Sequence, residues 1–178
     1  MNISRFTANQ SQDVINLYTN VFADSEGQDE GNSIGLLVTD LINTTDERDI
    51  VGFVAHVDNT IVGCIFFSRI TLSNDTLAFI LSPVAISTNQ QGRGIGQRLI
   101  RYGIEFLKAK KVEFVFTYGD PNYYSKVGFE QISEEVINAP FKLSQPQGWL
   151  AQALQGSDIK TIKGASKCVA AFNKAEYW

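Results

Sequence analysis

The sequence predicts an α+β fold: a mixed, mostly antiparallel twisted sheet of about seven strands with about four helices, in the order β-α-α-β-β-β-α-β-α-β-β. Three observations point there. Residues 11 to 23 and 33 to 43 repeat apolar side chains at helical spacing. Residues 50 to 86 are long runs of β-branched and aromatic residues broken by turn pairs. From residue 96 a helical period gives way to short apolar runs.

Taken in order, "ISRFT" is a short opening strand. "SQDVINLYTNVFA" places Val14, Leu17, Tyr18, Val21 and Phe22 on one helical face, with Ser11 as its N-cap. An acidic loop, "DSEGQDEGN" at residues 24 to 32, leads to a second helix, "SIGLLVTDLIN", with Ile34, Leu37, Val38 and Leu41 on one side and Gly35 weakening it. "IVGFVAHVDNTIVGCIFFSRITL" and "DTLAFILSPVAI", broken at Asp58-Asn59 and at Ser73-Asn74-Asp75, read as a three-stranded antiparallel meander. From Gly96, residues Leu99, Ile100, Gly103, Ile104 and Leu107 recur at helical period and end in the basic "KAKK" that suits a helix C-terminus. "VEFVFT", apolar apart from Glu113 and its last residue, reads as a strand of the buried kind. A short helix "PNYYSKV" and a strand "GFEQI" follow. In the tail from Asn138 to Trp178, "QGWLAQAL" reads as helical and "ASKCVAAFNK" as a last strand.

With 178 residues, 44% of them hydrophobic, the chain has the material for one core, and a single domain spanning 1–178 is expected. The net charge of −4 offers no basic field to gather nucleic acid or an anionic membrane. The first residues lack the apolar core of a signal peptide, and no run approaches the roughly 18 apolar residues of a membrane span, so a cytoplasmic protein is expected. The two cysteines, Cys64 and Cys168, lie in apolar stretches and suit buried reduced thiols. His56, the single histidine, alternates with Val54 and Asp58 along a strand and reads as a surface or part-buried strand residue rather than a base. No His, Cys, Asp or Glu spacing suits a metal, and none is expected.

The stretch "NQQGRGIGQRLIRYGIEFLKAKK", residues 89 to 111, joins a strand to a helix through three glycines. A helix start presents unpaired N–H groups and partial positive charge, so it holds an anion wherever the chain can come close. Arg93 adds a cation there. The stretch lacks the lysine and hydroxyl residue of a P-loop and the third glycine of a dinucleotide fingerprint. On residues alone it is either a phosphate cradle or a tight turn.

Gln91, Gly94 and Gly96, with "LSPVAI" upstream, resemble the Gln/Arg-x-x-Gly-x-Gly/Ala signature of the GNAT superfamily of N-acetyltransferases. A second segment, "GDPNYYSKVGFEQI", resembles the place where that superfamily sets a tyrosine four residues before a Gly-Phe, here Tyr124 and Gly128-Phe129. The matching order of elements runs from about residue 1 to 133, and residues 138–178 depart from the minimal pattern. The wording of both segments is most similar to the YhbS-like group of acetyltransferases.

The resemblance implies a GNAT-like fold that binds acetyl-CoA where "FILSPVAI" and "VEFVFT" splay apart. Backbone groups of Val84, Ala85 and Ile86 would pair with the pantetheine arm. The amides of Gln91, Gly92, Arg93, Gly94, Ile95 and Gly96 would take the pyrophosphate, with Gly94 and Gly96 needed for close approach and Gly92 mainly easing the turn. Asn122 joins the cofactor-binding set. Ile86 N–H, or a neighbouring N–H on that strand, becomes the oxyanion donor, and Tyr124 the general acid for the CoA thiolate. Of the acidic residues Asp24, Glu26, Asp29 and Glu30, Glu26 is the candidate base, the alternative being a solvated loop. Tyr123 is expected to pack. Trp149, Leu150 and Leu154 either line an acceptor pocket or close the core. The implied reaction moves an acetyl group to a primary amine of a small molecule or protein. The alternatives are a CoA-binding sensor and a transferase of a longer acyl group. A monomer or homodimer is expected.

Overall fold

In the computed structural model, which describes residues 1–156 and 158–178, the chain runs β1 (Asn2–Arg5), α1 (Ser11–Glu26), α2 (Gln28–Thr44), β2 (Ile50–Val57), β3 (Thr60–Thr71), β4 (Leu77–Ile86), α3 (Ile95–Ala109), β5 (Phe114–Tyr118), α4 (Pro121–Tyr124), β6 (Glu130–Gln131), β7 (Trp149–Ala153) and β8 (Lys167–Cys168). The strands hydrogen-bond in the order β1-β2-β3-β4-β5-β7-β6, with β8 beside β3. β4 and β5 are parallel, while β1–β2, β3–β8, β5–β7 and β6–β7 are antiparallel. The α+β class and element order expected from sequence hold, with eight strands among the described residues instead of seven. No described helix is long and apolar enough to cross a membrane.

Two compact units make up the chain, Met1–Phe66 with Pro83–Gly103, and Phe67–Ser82 with Ile104–Trp178. In the first, α1 buries Val14, Leu17, Tyr18 and Val21, and α2 buries Ile34, Leu37, Val38 and Leu41, the faces their spacing specifies. The acidic loop expected between them is absent as a loop. Asp24 to Glu26 form the last turn of α1, Gln28 opens α2, and Gly27 alone breaks the helix at φ 101°. Gly31 and Gly35 explain how α1 and α2 come so close: a Cβ on Gly31 would lie 2.5 Å from the Thr19 carbonyl, and one on Gly35 would strike the Thr19 hydroxyl. The N-cap of α1 is Gln10 rather than Ser11, whose hydroxyl instead donates back to the Ala8 carbonyl at 2.7 Å. Asp58 and Asn59 both adopt left-handed backbone, φ 49° and 64°, the turn that reverses a chain between neighbouring strands.

Pro83, inside β4, brings no N–H to a strand ladder. The Tyr18 hydroxyl, fully buried, reaches the carbonyls of Cys64 and Pro83 at 2.9 Å each. Cys64 is buried and Cys168 half-buried, both free, and burial pushes both thiols up.

In the second unit, β5 lies between β4 and β7. It pairs in parallel from Ala78↔Phe114 to Leu81↔Thr117, and antiparallel from Phe114↔Ala153 to Tyr118↔Trp149. The segment expected to be helical, "QGWLAQAL", is therefore strand β7. Its residues are buried on both faces, which erases the alternation that would have marked a strand. Trp149, Leu150 and Leu154 are core. Trp149 stacks on Phe116 at 5.1 Å, and its indole N–H donates to the Ile137 carbonyl at 2.9 Å. "ASKCVAAFNK" yields only the two-residue β8, followed by a 3-10 turn at Ala170–Phe172.

Tyr18→Phe keeps the ring and removes the one hydroxyl proton that the two carbonyls share. It should cost about 1–3 kcal/mol, the usual penalty for buried polar groups left unpaired. Equilibrium urea unfolding checks it, and an unchanged midpoint at unchanged slope would remove the hydroxyl from the stability of this unit.

Candidate active site

β4 ends at Ile86 and hands the chain to a braced turn in the first unit. Ser87 N–H donates to the Val62 carbonyl at 2.8 Å, and Thr88–Gln90 form a 3-10 turn. The Gln91 side chain folds back to donate from Nε2 to the Ile86 carbonyl at 3.0 Å. The Thr88 hydroxyl donates to Asp24 Oδ2 at 2.6 Å, so the α1–α2 corner is tied to the turn before the glycines. Gly92 and Gly94 then adopt φ 73° and 74°, with open space where a Cβ would stand. Both positions therefore hold a backbone conformation that L side chains rarely adopt.

α3 begins at Ile95, and the first amide to return to the loop is Arg98 N–H, at 3.1 Å from the Gly94 carbonyl. The N–H groups of Ile95, Gly96 and Gln97 fall in the opening turn, where a helix has no carbonyl behind it, at the positive end of the helix dipole. Arg93 is exposed beside them, Gly96 is buried in the turn itself, and Ala85 is buried between half-buried Val84 and Ile86. Glu26 is exposed at the end of α1. His56 is half-buried, its Nε2 3.4 Å from Gln10 Nε2 in a polar groove at the foot of α1.

In the second unit the "GDPNYYSKVGF" segment builds a setting for one phenol. Asp120 caps α4, its Oδ1 accepting the Asn122 N–H at 2.9 Å, and Pro121 supplies the first helical position with φ preset. Asn122 is itself exposed, its amide taken by that cap. Gly128 turns left-handed at φ 94°, which lets Phe129 N–H close on the Tyr124 carbonyl at 3.2 Å. The Phe129 ring then meets the Tyr124 ring edge-on at 5.8 Å, and Tyr123 does the same at 5.1 Å. The four-residue spacing from Tyr124 to Gly128 is thus the spacing of one short helical turn and its left-handed stop.

Two residues missed in the sequence complete the setting. Gly119 lies so close that a Cβ there would stand 2.7 Å from Tyr124 Cε2. Thr117, fully buried, has its hydroxyl near enough to the Tyr124 phenol to favour the phenolate, and it donates its proton to the Leu81 carbonyl at 3.0 Å. The available signal was Thr117's place as the polar residue ending the apolar run "VEFVFT". Burial pushes the Tyr124 phenol up to about 12, the Thr117 hydroxyl pulls it down, and the neighbouring Tyr123 and Asp120 add to the rise. Tyr124 is therefore a firmly protonated phenol.

Residues 48–131 match the family described as Acetyltransferase (GNAT) domain. The uncharacterized N-acetyltransferase YjhQ of Escherichia coli K12 is 32% identical over 138 residues, 74% of this chain and 76% of that protein. The chain belongs to the GNAT acetyltransferase family. It is accordingly an acyltransferase. A second relative, the uncharacterized N-acetyltransferase YhbS of Escherichia coli K12, is 30% identical over 97 residues, 54% of this chain and 52% of that one. The solved structure of Escherichia coli YhbS in complex with CoA is similar at TM-score 0.79 and 21% identity, over 97% of this chain and 92% of that one. A GNAT acetyltransferase from Brucella melitensis in complex with acetyl-CoA is similar at TM-score 0.69 and 23% identity, over 96% and 97%. These structures share the GNAT fold with this chain.

Gly128→Ala forces an L side chain into left-handed backbone and against Gln152 Nε2, 2.7 Å from the added carbon. Loss of about 1–2 kcal/mol in unfolding free energy is expected, read by chemical denaturation. A variant as stable as wild type would show that the α4 stop does not depend on glycine.

Proposed function

We propose that this GNAT enzyme transfers the acetyl group of acetyl-CoA to a primary amine of a small molecule or protein by direct attack, with Tyr124 as general acid. The observation that carries the reading is the setting of Tyr124: a phenol packed against Gly119 and Phe129 and kept protonated by burial. CoA and acetyl-CoA in the two similar solved structures support the cosubstrate. The chain's own glycine turn fits an anion, since left-handed Gly92 and Gly94 leave open space ahead of the unpaired amides of α3.

In this reading the amides from Gln91 to Gly96 hold the pyrophosphate and Arg93 adds charge. Gln91 also braces the turn through its bond to Ile86. The backbone of Val84, Ala85 and Ile86 pairs with the pantetheine arm, and Ile86 N–H faces the developing oxyanion. Asn122 contributes at the cofactor side of α4. A neutral amine attacks the thioester carbon, the tetrahedral intermediate collapses with cleavage of the C–S bond, and the CoA thiolate takes the Tyr124 proton. Thr117 is placed to turn its hydroxyl from the Leu81 carbonyl to the phenolate so formed. At the acidic corner Asp24 is engaged by Thr88, and Asp29 and Glu30 sit in the first turn of α2, where carboxylates suit the dipole. Glu26 is the carboxylate we assign as base for the amine proton. A CoA-binding sensor would need the cradle and not this phenol.

Titration calorimetry with acetyl-CoA should show binding that collapses in Gly94→Trp. Unaltered affinity in a folded variant would sink the cradle.

For the acid, Tyr124→Phe should lower kcat by about 10² or more, the lower range of general-acid effects, with acetyl-CoA affinity little changed. The sign of the pH dependence follows from the raised pKa. The acid form is complete below the phenol's pKa and lost only as pH rises through about 12. The Tyr124-dependent part of kcat should therefore stay flat from neutrality to about pH 10, the ordinary tyrosine value. An amine panel assayed by CoA release provides the rates, and CoA binding without acetylation of any amine would favour the sensor.

A further inference from the structure

Beside Tyr124, at the C-terminal end of β5, the second unit carries a cavity of about 550 Å³. Tyr118, Gly119 and Asp120 form one wall, and Ser144, Gln145 and Gly148 another. We infer that this cavity binds the acetyl acceptor, a primary amine in its cationic form, and that Asp120 selects it by charge. The inference rests on the acetyltransferase reading above and adds to it a place and a chemical class for the acceptor.

The walls are joined before any ligand arrives. Gly119 N–H donates to the Gly148 carbonyl at 3.0 Å, Gln145 N–H donates to the Tyr118 hydroxyl at 2.7 Å, and that hydroxyl lies 2.9 Å from Ser144 Oγ. Gly148 lets the walls meet, since a Cβ there would lie 3.1 Å from the Gly119 carbonyl oxygen. The Tyr118 ring is held from behind by Trp178, nearly parallel at 18° and 6.4 Å. A pocket held in this way loses little ordering free energy when a small ligand binds.

Its charge points to a cation. Asp120 is the one charged residue lining it, and among the described residues no lysine or arginine forms an ion pair with it. One carboxylate oxygen holds the α4 cap, which leaves the other for a ligand. An ammonium there gains a charge-assisted hydrogen bond and a nearby aromatic ring, while the phosphates of a CoA thioester would be repelled. The cavity also adjoins the acid. Gly119 packs against the Tyr124 ring, and the Asp120 charge is close enough to push the Tyr124 phenol up. A cation captured by Asp120 therefore waits next to the group assigned to protonate the leaving thiolate.

The test uses the full chain, labelled with ¹⁵N, and two small probes of equal shape, n-propylammonium and n-propanol. The amide resonances of Gly119, Gln145 and Gly148 should move saturably with the amine and stay in place with the alcohol. Asp120→Asn should weaken the amine by about tenfold or more, as loss of a hydrogen bond to a charged group does. Asparagine is an equally good N-cap, so matching thermal midpoints for the two proteins confirm that α4 survives. Acetyl-CoA should leave amine binding in place. Equal shifts with the alcohol, unchanged affinity in Asp120→Asn, or displacement of the amine by acetyl-CoA would each overturn the assignment. Amine bound here without CoA release in any assay would sink the transferase reading while leaving the site. No amine binding would sink the site while leaving the CoA titration and the Tyr124 variant to judge the reaction.

Discussion

The buried hydroxyl of Tyr18, held between the carbonyls of Cys64 and Pro83, is the interaction on which the end of β4 depends. A proline inside a strand withholds a donor, and a buried carbonyl without a donor costs as much as a lost hydrogen bond. Tyr18 brings a donor to this point from α1, a helix whose apolar face already has to be buried. The consequence is felt downstream. With β4 held at Pro83, its last residues, Val84 to Ile86, run to a defined end. Ser87 then pairs with Val62, and Gln91 folds back on Ile86, so the left-handed glycines open into α3 at a fixed place. The glycines allow the turn, and the residues around them determine where it occurs.

In the second unit, contact and burial act on one side chain. Gly119 has no Cβ so that the Tyr124 ring can lie against the backbone, and Gly128 turns left so that Phe129 can close on it. The desolvation that results raises the proton affinity of the phenol, and the Thr117 hydroxyl offsets part of the rise. An acid with a pKa well above neutrality is fully protonated at working pH, so its proton is in place when the thiolate departs. The same packing that makes Tyr124 rigid therefore also sets its chemistry.

Much of this was legible locally. Glycines needed for φ above zero, a proline at the first position of α4, and a tyrosine one short turn before a left-handed stop all act within a few residues, so spacing reveals them. The α1–α2 corner was not legible. Acidic and small residues look like a loop, yet one residue, Gly27, breaks the helix, and Gly31 and Gly35 are there to let α2 approach Thr19. Strand β7 was misread because Trp149, Leu150 and Ala151 are buried whichever way they face, so no period of two appears.

By itself, then, the sequence determined the α+β class, the order of elements as far as β6, the GNAT signature at Gln91, Gly94 and Gly96, and Tyr124 with its Gly-Phe partner. Each of these is written in neighbouring residues. The tertiary structure alone decided that Thr117 bonds to Leu81, that Thr88 engages Asp24, and that Asp120 faces a cavity walled by Ser144, Gln145 and Gly148. Those partners are tens of residues apart in the chain. A hydrogen bond needs two groups at one point in space, and neither periodicity nor local spacing records which distant segments the fold brings to that point.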